Sequence, residues 1–383
     1  MDFRLSEEQI AMRDLARDFA EKEIAPIVEE DEKHHKFRPE IVKKMGELGF
    51  FGVNMPEEYG GTNMGVLSSV IMTEEITRIS PSYGLPFNMQ TFGPGFVILN
   101  YGSEEQKQKY LPALINADIF GCFAITEPGS GSDVASMKTT AEERDDCFVL
   151  NGQKTWISNA QVADIGVVYA YTDKAARAKG ISAFIVDLKN TPGVTTVPIE
   201  SKVGLFSAPT GEIIFEDAKI PKDALVGQRG DGFKICMTQL DNTRLSCAAR
   251  AVGVGRGAIE AAVKYANERT QFGVPISDFQ MIQDQIAQMY VENEAARLLV
   301  WRAAYNRDQG AKNTLEVSTA KYFAAEAAVK AAGEAIKIFG SYGFSTEYPA
   351  ERFFRDSKSF QIVEGTSNVQ KMIIAGFVLG KRK

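Results

Sequence analysis

The chain has 383 residues, 44% hydrophobic and 24% charged, enough for two or three packed layers or domains rather than one core. A net charge of -7 argues against nucleic acid as a partner, because backbone phosphates demand a basic surface. No apolar run reaches membrane-spanning length and the first residues are polar and amphipathic, so no membrane insertion and a cytoplasmic (or processed organellar) location are expected. Residues 5–28 carry Ile10, Met12, Leu15, Phe19 and Ile24 at helical spacing after a Ser6-Glu7-Glu8 start. Residues 41–48, 67–79 and 106–114 repeat that pattern, punctuated by Pro56 and Gly60-Gly61, which predicts an N-terminal all-α domain over 1–119.

From residue 120 the texture alternates. Residues 148–157 contain an Asn151-Gly152 pair that predicts a type I′ hairpin turn, and 165–171, 181–188, 194–199 and 212–215 are further strands. They make a small antiparallel β domain over 120–228. Helical texture then returns in long, Ala-rich stretches at 246–268, 280–306 and 318–339, joined by short loops at Gly273-Val274-Pro275 and Gln309-Gly310. The expectation is an α+β fold closed by a C-terminal four-helix-bundle domain over 229–383.

Cys122, Cys147, Cys236 and Cys247 are scattered and read as core residues, and His34 and His35 sit side by side in a charged stretch, so a His triad or metal site is not expected. Chemistry must use carboxylates or a borrowed cofactor. Gly253-Val254-Gly255-Arg256-Gly257 lacks the strand that a dinucleotide fingerprint requires and reads as close helix packing. In Gln361-Ile362-Val363-Glu364-Gly365-Thr366-Ser367, a lone carboxylate lies between apolar neighbours and a turn that caps the helix over 369–379, a placement suited to taking up a proton and returning it.

That segment resembles the catalytic-base signature of the acyl-CoA dehydrogenases, a flavin enzyme family, and other motifs match in the family's order along nearly the whole chain. Ala124-Ile125-Thr126 to Asp133 resembles the flavin-binding loop, which implies that Thr126 bonds the isoalloxazine pyrimidine edge and Ser132 a phosphate or the pantetheine. Lys154-Thr155-Trp156-Ile157-Ser158 resembles the segment packed on the flavin ring, with Ser158 donating to N5. Leu240 to Leu245 resembles the CoA-contacting helix, carrying over Asp241 and Arg244. Glu268 to Gly273 resembles the motif whose Arg269 reaches the flavin pyrophosphate of a neighbouring subunit, which implies at least a dimer and by analogy the family's homotetramer. The segment around Lys337 and Gly340 resembles the one that closes over the flavin's adenosine diphosphate, although many members have Gln at the Lys337 position. The resemblance further assigns Gln271, Phe272, Thr366 and Asn368 to FAD, and Gly365, Met89, Thr91 and Val363 to the substrate.

The activity implied is α,β-dehydrogenation of a CoA thioester: Glu364 takes the α-proton, the β-hydride goes to flavin N5, and the Glu364 N–H with a ribityl hydroxyl holds the thioester carbonyl. Electrons then pass to a carrier, in this family usually electron-transfer flavoprotein. Some branches place the base at the position of Thr243, which cannot serve. The chain looks nearest to the anaerobic glutaryl-CoA and alicyclic acyl-CoA dehydrogenases. Val363 stands where Tyr is common, which opens volume, and residues 85–92 hold no Arg or Lys, whereas glutaryl enzymes use an Arg there to pair the distal carboxylate. A neutral acyl group is therefore expected, a cyclohexane-1-carboxyl ring first and a short or branched chain second. Alternatives are a glutaryl-CoA-type dehydrogenase, an acyl-CoA oxidase, whose extra C-terminal helical domain is not expected here, and a non-catalytic flavin-binding subunit.

Overall fold

Ser6 starts the first helix as its flanking residues predict: its hydroxyl accepts from the Gln9 N–H while the Gln9 side chain accepts from the Ser6 N–H. The computed structural model describes residues 4–382, so the domain ends placed at residues 1–3 and 383 lie outside the described residues. The N-terminal helices are α1 (Glu7–Phe19), α2 (Val28–His34), α3 (Pro39–Glu47), α4 (Gly65–Ile79), α5 (Pro81–Phe92), α6 (Pro94–Tyr101) and α7 (Glu104–Ile115). Prolines open α3, α5 and α6, where the first turn has no use for an N–H. The periodicity singled out neither α5 nor α6. Every residue of α5 is buried, and a helix enclosed on all sides has no polar face to reveal its period.

The middle layer holds β1 (Gly121–Ala124), β2 (Thr140–Glu143), β3 (Cys147–Ser158), β4 (Ile165–Tyr171), β5 (Ile181–Asp187), β6 (Val194–Pro198), β7 (Thr210–Pro221) and β8 (Leu225–Val226). They form one sheet in the order β6-β7-β3-β2-β4-β5-β8, with β1 beside β4. The pairings are antiparallel apart from β1 with β4 and the single β2 to β4 pair, which are parallel. The Asn151-Gly152 turn is a correction: β3 runs straight through it. The pair sits at a bulge instead, where Asn151 trades hydrogen bonds with Asp217 on β7 and the β3–β7 register shifts between Leu150 and Gly152. Gly152 is at φ 146, and a Cβ there would lie 2.5 Å from Thr139 Oγ1. Cross-strand partners and this close approach, rather than a turn, account for the two residues.

Beyond the sheet come α8 (Gly232–Glu268), a short hairpin of β9 (Thr270–Gln271) and β10 (Val274–Pro275), then α9 (Gln280–Asp308), α10 (Thr314–Phe339), α11 (Pro349–Ser357) and α12 (Ser367–Val378). A core built largely of alanines from α8, α9 and α10 also takes in Val70 of α4 and Phe92 of α5, so the first helices are packed onto the bundle. The glycine run of α8 serves that packing as expected: a Cβ at Gly253 would meet Thr77 Oγ1 at 2.0 Å, and one at Gly257 would meet the Arg78 carbonyl at 2.3 Å. Among the described residues no helix is long and apolar enough to cross a membrane.

Candidate active site

Glu364 occupies a left-handed turn just before α12, at φ 58, with Gly365 at φ 87. Thr366 ends the turn by accepting from the Val369 N–H. A left-handed non-glycine backbone is held only where its surroundings overdetermine it. Here three side chains from other turns of the fold grip the two carbonyls. Arg244 Nε donates to the Glu364 carbonyl at 3.1 Å, Lys321 Nζ to the Gly365 carbonyl at 2.7 Å, and Gln370 Nε2 to both, at 3.2 and 2.9 Å. Glu326 of α10 ties the flanks, accepting from Gln361 and Ser367. Lys321 is fully buried, and burial holds its ammonium below the usual lysine range.

With the backbone fixed, the Glu364 carboxylate is placed against α8, where the Thr243 hydroxyl donates to Oε2 at 2.5 Å. The Glu364 N–H makes no hydrogen bond within the described residues. Apolar enclosure is a correction: Ile362 and Val363 are exposed in this chain and Glu364 is half-buried. Asp241 and Arg244, read as CoA contacts, are bonded to each other at 2.6 Å, and Arg244 is turned inward to the Glu364 turn.

Helices α5 and α8 run side by side past this point. Asn242 Nδ2 and Gln239 Nε2 both donate to the Phe92 carbonyl at 3.0 Å, which seats the end of α5 one step from Thr243. On the outer side of α5, Leu85 and Met89 pack against Ala208, with Leu205 and Phe123 beside them. Thr91 returns its hydroxyl to the Phe87 carbonyl and is fully buried, whereas Met89 belongs to the apolar wall. That wall is anchored by Asp356, which accepts from the Leu205 N–H at 2.6 Å.

Burial, and then the Glu32 carboxylate, push the Asp356 carboxyl up to about 7 from 3.8. A folded-state value above the unfolded one means that the fold takes up a proton as pH falls through about 7, so this group's contribution to stability declines as pH rises from about 4 to about 7. Asp356→Asn keeps an acceptor for the Leu205 N–H. It is expected to flatten that decline, a difference of up to about 4 kcal/mol across the window, read as the change in urea midpoint between about pH 4 and pH 8 in parent and variant.

The β domain presents a second face. Residues 125–139 form a loop pinned from below by Glu127, which accepts from the Thr139 N–H and Lys138 N–H and pairs with Lys154 at 2.8 Å. Burial alone would raise the Glu127 carboxyl, but Lys154 and these donors outweigh it and hold it below its usual range. Thr126 is tied to β3 through its carbonyl, which accepts from the Thr155 N–H, and Ser132 lies exposed at the loop's tip. Trp156 sits in a bulge at φ 59 and is 57% exposed, so it is a free indole face rather than core, with Ser158 half-buried two residues on.

A hollow of about 270 Å³ lies at the far end of the bundle, lined by Tyr265, Arg269, Gln271, Phe339, Gly340 and Tyr342. The structure thus brings Arg269, Gln271 and Gly340 together. It leaves out Lys337, which pairs with Glu334 at 2.6 Å on the surface, and Phe272, which is 93% exposed. Asn368 is exposed on α12.

Three family models match the chain in order: acyl-CoA dehydrogenase, N-terminal domain, over residues 6–118; middle domain over 122–218; and C-terminal domain over 230–379. The chain belongs to the acyl-CoA dehydrogenase family. A glutaryl-CoA dehydrogenase of Desulfococcus multivorans is 50% identical over all of this chain and 99% of its own length. A solved glutaryl-coenzyme A dehydrogenase in complex with glutaryl-CoA superposes with a TM-score of 0.97 at 48% identity, covering 100% of this chain and 98% of that one. A structure described as an electron transferring flavoprotein of Acidaminococcus fermentans superposes with a TM-score of 0.97 at 43% identity, covering 99% and 100%.

Members of the acyl-CoA dehydrogenase family are FAD-dependent oxidoreductases, and the surfaces of this chain fit that cofactor: a free indole beside Thr126 and Ser158 for a flat ring, and a hollow floored by Arg269 for a phosphate. The motifs pointed to Glu364 and to the faces that carry Trp156 and Arg269. They missed the groups that hold them. Lys321, Gln370, Glu326 and the Glu127–Lys154 pair lie in helical or alternating stretches and act over long sequence separations, so no local pattern marks them.

Proposed function

We propose that this acyl-CoA dehydrogenase removes the α-proton of a short dicarboxylic, glutaryl-type acyl-CoA thioester with Glu364. The observation that carries the reading is the Glu364 turn, a carboxylate on a left-handed backbone fixed by Arg244, Lys321 and Gln370 at the head of the α5–α8 seam. When bound, FAD supplies the acceptor for the β-hydride. The Glu364 N–H, free of partners among the described residues, is available to the thioester carbonyl, where a donor stabilises charge developing on oxygen. The Thr243 hydroxyl orients Oε2 toward the seam and steadies the carboxylate before it takes the proton.

The glutaryl-type acyl group replaces the alicyclic ring expected from Val363, because relatives near half identity over the full length are glutaryl-CoA dehydrogenases. Electron-transfer flavoprotein as acceptor is supported by the family and by the Acidaminococcus likeness. Assembly with further copies, at least a dimer and in the family's manner a tetramer, is supported by apolar side chains left bare on the bundle, among them Phe272, Met281, Phe344 and Val378. A cytoplasmic location accompanies the reading.

The test is an anaerobic titration of the yellow protein with glutaryl-, cyclohexane-1-carboxyl-, butyryl- and isobutyryl-CoA, following flavin absorbance. Bleaching by glutaryl-CoA at the lowest concentration is expected. Bleaching first by the ring thioester would restore the neutral pocket, and no bleaching by any thioester would remove the dehydrogenase reading altogether.

A further inference from the structure

Arg250 is a guanidinium buried in the α5–α8 seam without a counter-charge. The residue is 2% exposed, its Nε has no hydrogen-bond partner, and no carboxylate pairs with it among the described residues. Its neighbours are the Phe360 ring, 5.6 Å from the guanidinium carbon, and the Cys247 thiol. Arg78 and Arg244, buried to a similar degree, each hold a carboxylate. An arginine stays charged under all ordinary conditions, and burying that charge unpaired is costly unless something arrives to balance it.

The position says what that could be. Thr243, Cys247 and Arg250 recur at helical spacing on one face of α8, and Thr243 carries the hydrogen bond to Glu364. Gly84 of α5 lies across the seam: a Cβ there would collide with Thr77 Cγ2 at 2.0 Å and come within 3.6 Å, ordinary contact distance, of Arg250 Cδ, which places the arginine stem against α5. Seven residues of helix rise about 10 Å, and a helical side chain leans back toward the N-terminus, so the guanidinium closes much of the distance to the base. An acyl chain of a few carbons ending in an anion spans such a gap.

Resting on the glutaryl-type reading, we infer that Arg250 is the specificity-determining residue that holds the distal carboxylate of a short dicarboxylic acyl-CoA. The cation sought on residues 85–92 is supplied instead by the helix that faces them. A guanidinium binds a carboxylate through two parallel N–H donors, fixing the far end of the chain while Glu364 meets the near end.

The experiment compares glutaryl-CoA with pentanoyl-CoA, which carries a methyl in place of the carboxylate. It uses FAD-loaded parent, Arg250→Gln and Arg250→Lys, with kcat/KM measured in the active enzyme. Kd is measured by calorimetry in a Glu364→Gln background, where turnover is stopped. The parent is expected to favour glutaryl-CoA, and the ratio between the two thioesters should fall by about 100-fold in Arg250→Gln in both measurements, with partial recovery in Arg250→Lys. A ratio that does not move, whether both thioesters weaken together or neither does, overturns the inference, as does a parent that prefers pentanoyl-CoA. Bleaching by pentanoyl-CoA in that last case would still leave the dehydrogenase standing, so the two failures are told apart.

Discussion

Glu364→Gln is expected to slow flavin reduction by substrate by about 10⁴-fold, at the upper end of what a positioned base contributes, while the protein stays yellow. The reasoning is local. The bonds that shape the turn use the Glu364 and Gly365 carbonyls, the Thr366 hydroxyl and the Glu326 carboxylate, and among the described residues the Glu364 side chain makes one bond, accepted from Thr243, which a Gln oxygen can also accept. The variant keeps the fold, the left-handed backbone and the surfaces for FAD and loses only the capacity to take a proton. A variant reduced as fast as the parent means that the base lies elsewhere.

Lys154→Met is expected to cost about 3–5 kcal/mol of stability and to strip the flavin from the protein, because it leaves the Glu127 carboxylate buried against the sheet with no cation. Glu127 in turn holds the N–H groups of Lys138 and Thr139, so the loop that carries Thr126 and Ser132 loses its anchor along with the charge balance. The urea midpoint and the flavin content of the purified protein measure both effects. Converting the pair together, with Glu127→Gln and Lys154→Met, should recover most of the stability, since removal of both charges avoids the unpaired one. A lone Lys154→Met as stable and as yellow as the parent would show that the ion pair anchors nothing.

The parts of this molecule that were legible in its sequence are those whose signal is local. Glu364 could be found because Gly365, Thr366 and Ser367 spell a turn and a cap next to it, and α1 because Ser6 and Gln9 complete a capping box. The glycine run of α8 was readable as packing because no strand precedes it. Features decided by partners far away in the chain were not readable. Asn151-Gly152 carries the strongest short hairpin signal, yet pairing with β7 draws it into a bulge opposite Asp217. Helix α5, enclosed on every side, shows no period. Arg250 lies in an alanine-rich stretch where nothing in the neighbouring residues announces an unpaired charge, and only its buried place against α5, on the same face of α8 as Thr243, gives it meaning. Residues 85–92 form one wall of the seam, and Arg250 lies on the other, where their sequence cannot show it.

The central claim is that Glu364 takes the α-proton, and the most direct test separates that step from hydride transfer. A 3-thia acyl-CoA, which can lose its α-proton but not its β-hydride, is incubated with the FAD-loaded enzyme in D₂O, and deuterium entering the α-position is followed by NMR. Rapid exchange with the parent and none above background with Glu364→Gln is the predicted result. Exchange that persists in Glu364→Gln would contradict the account, because some other group would then be removing the proton.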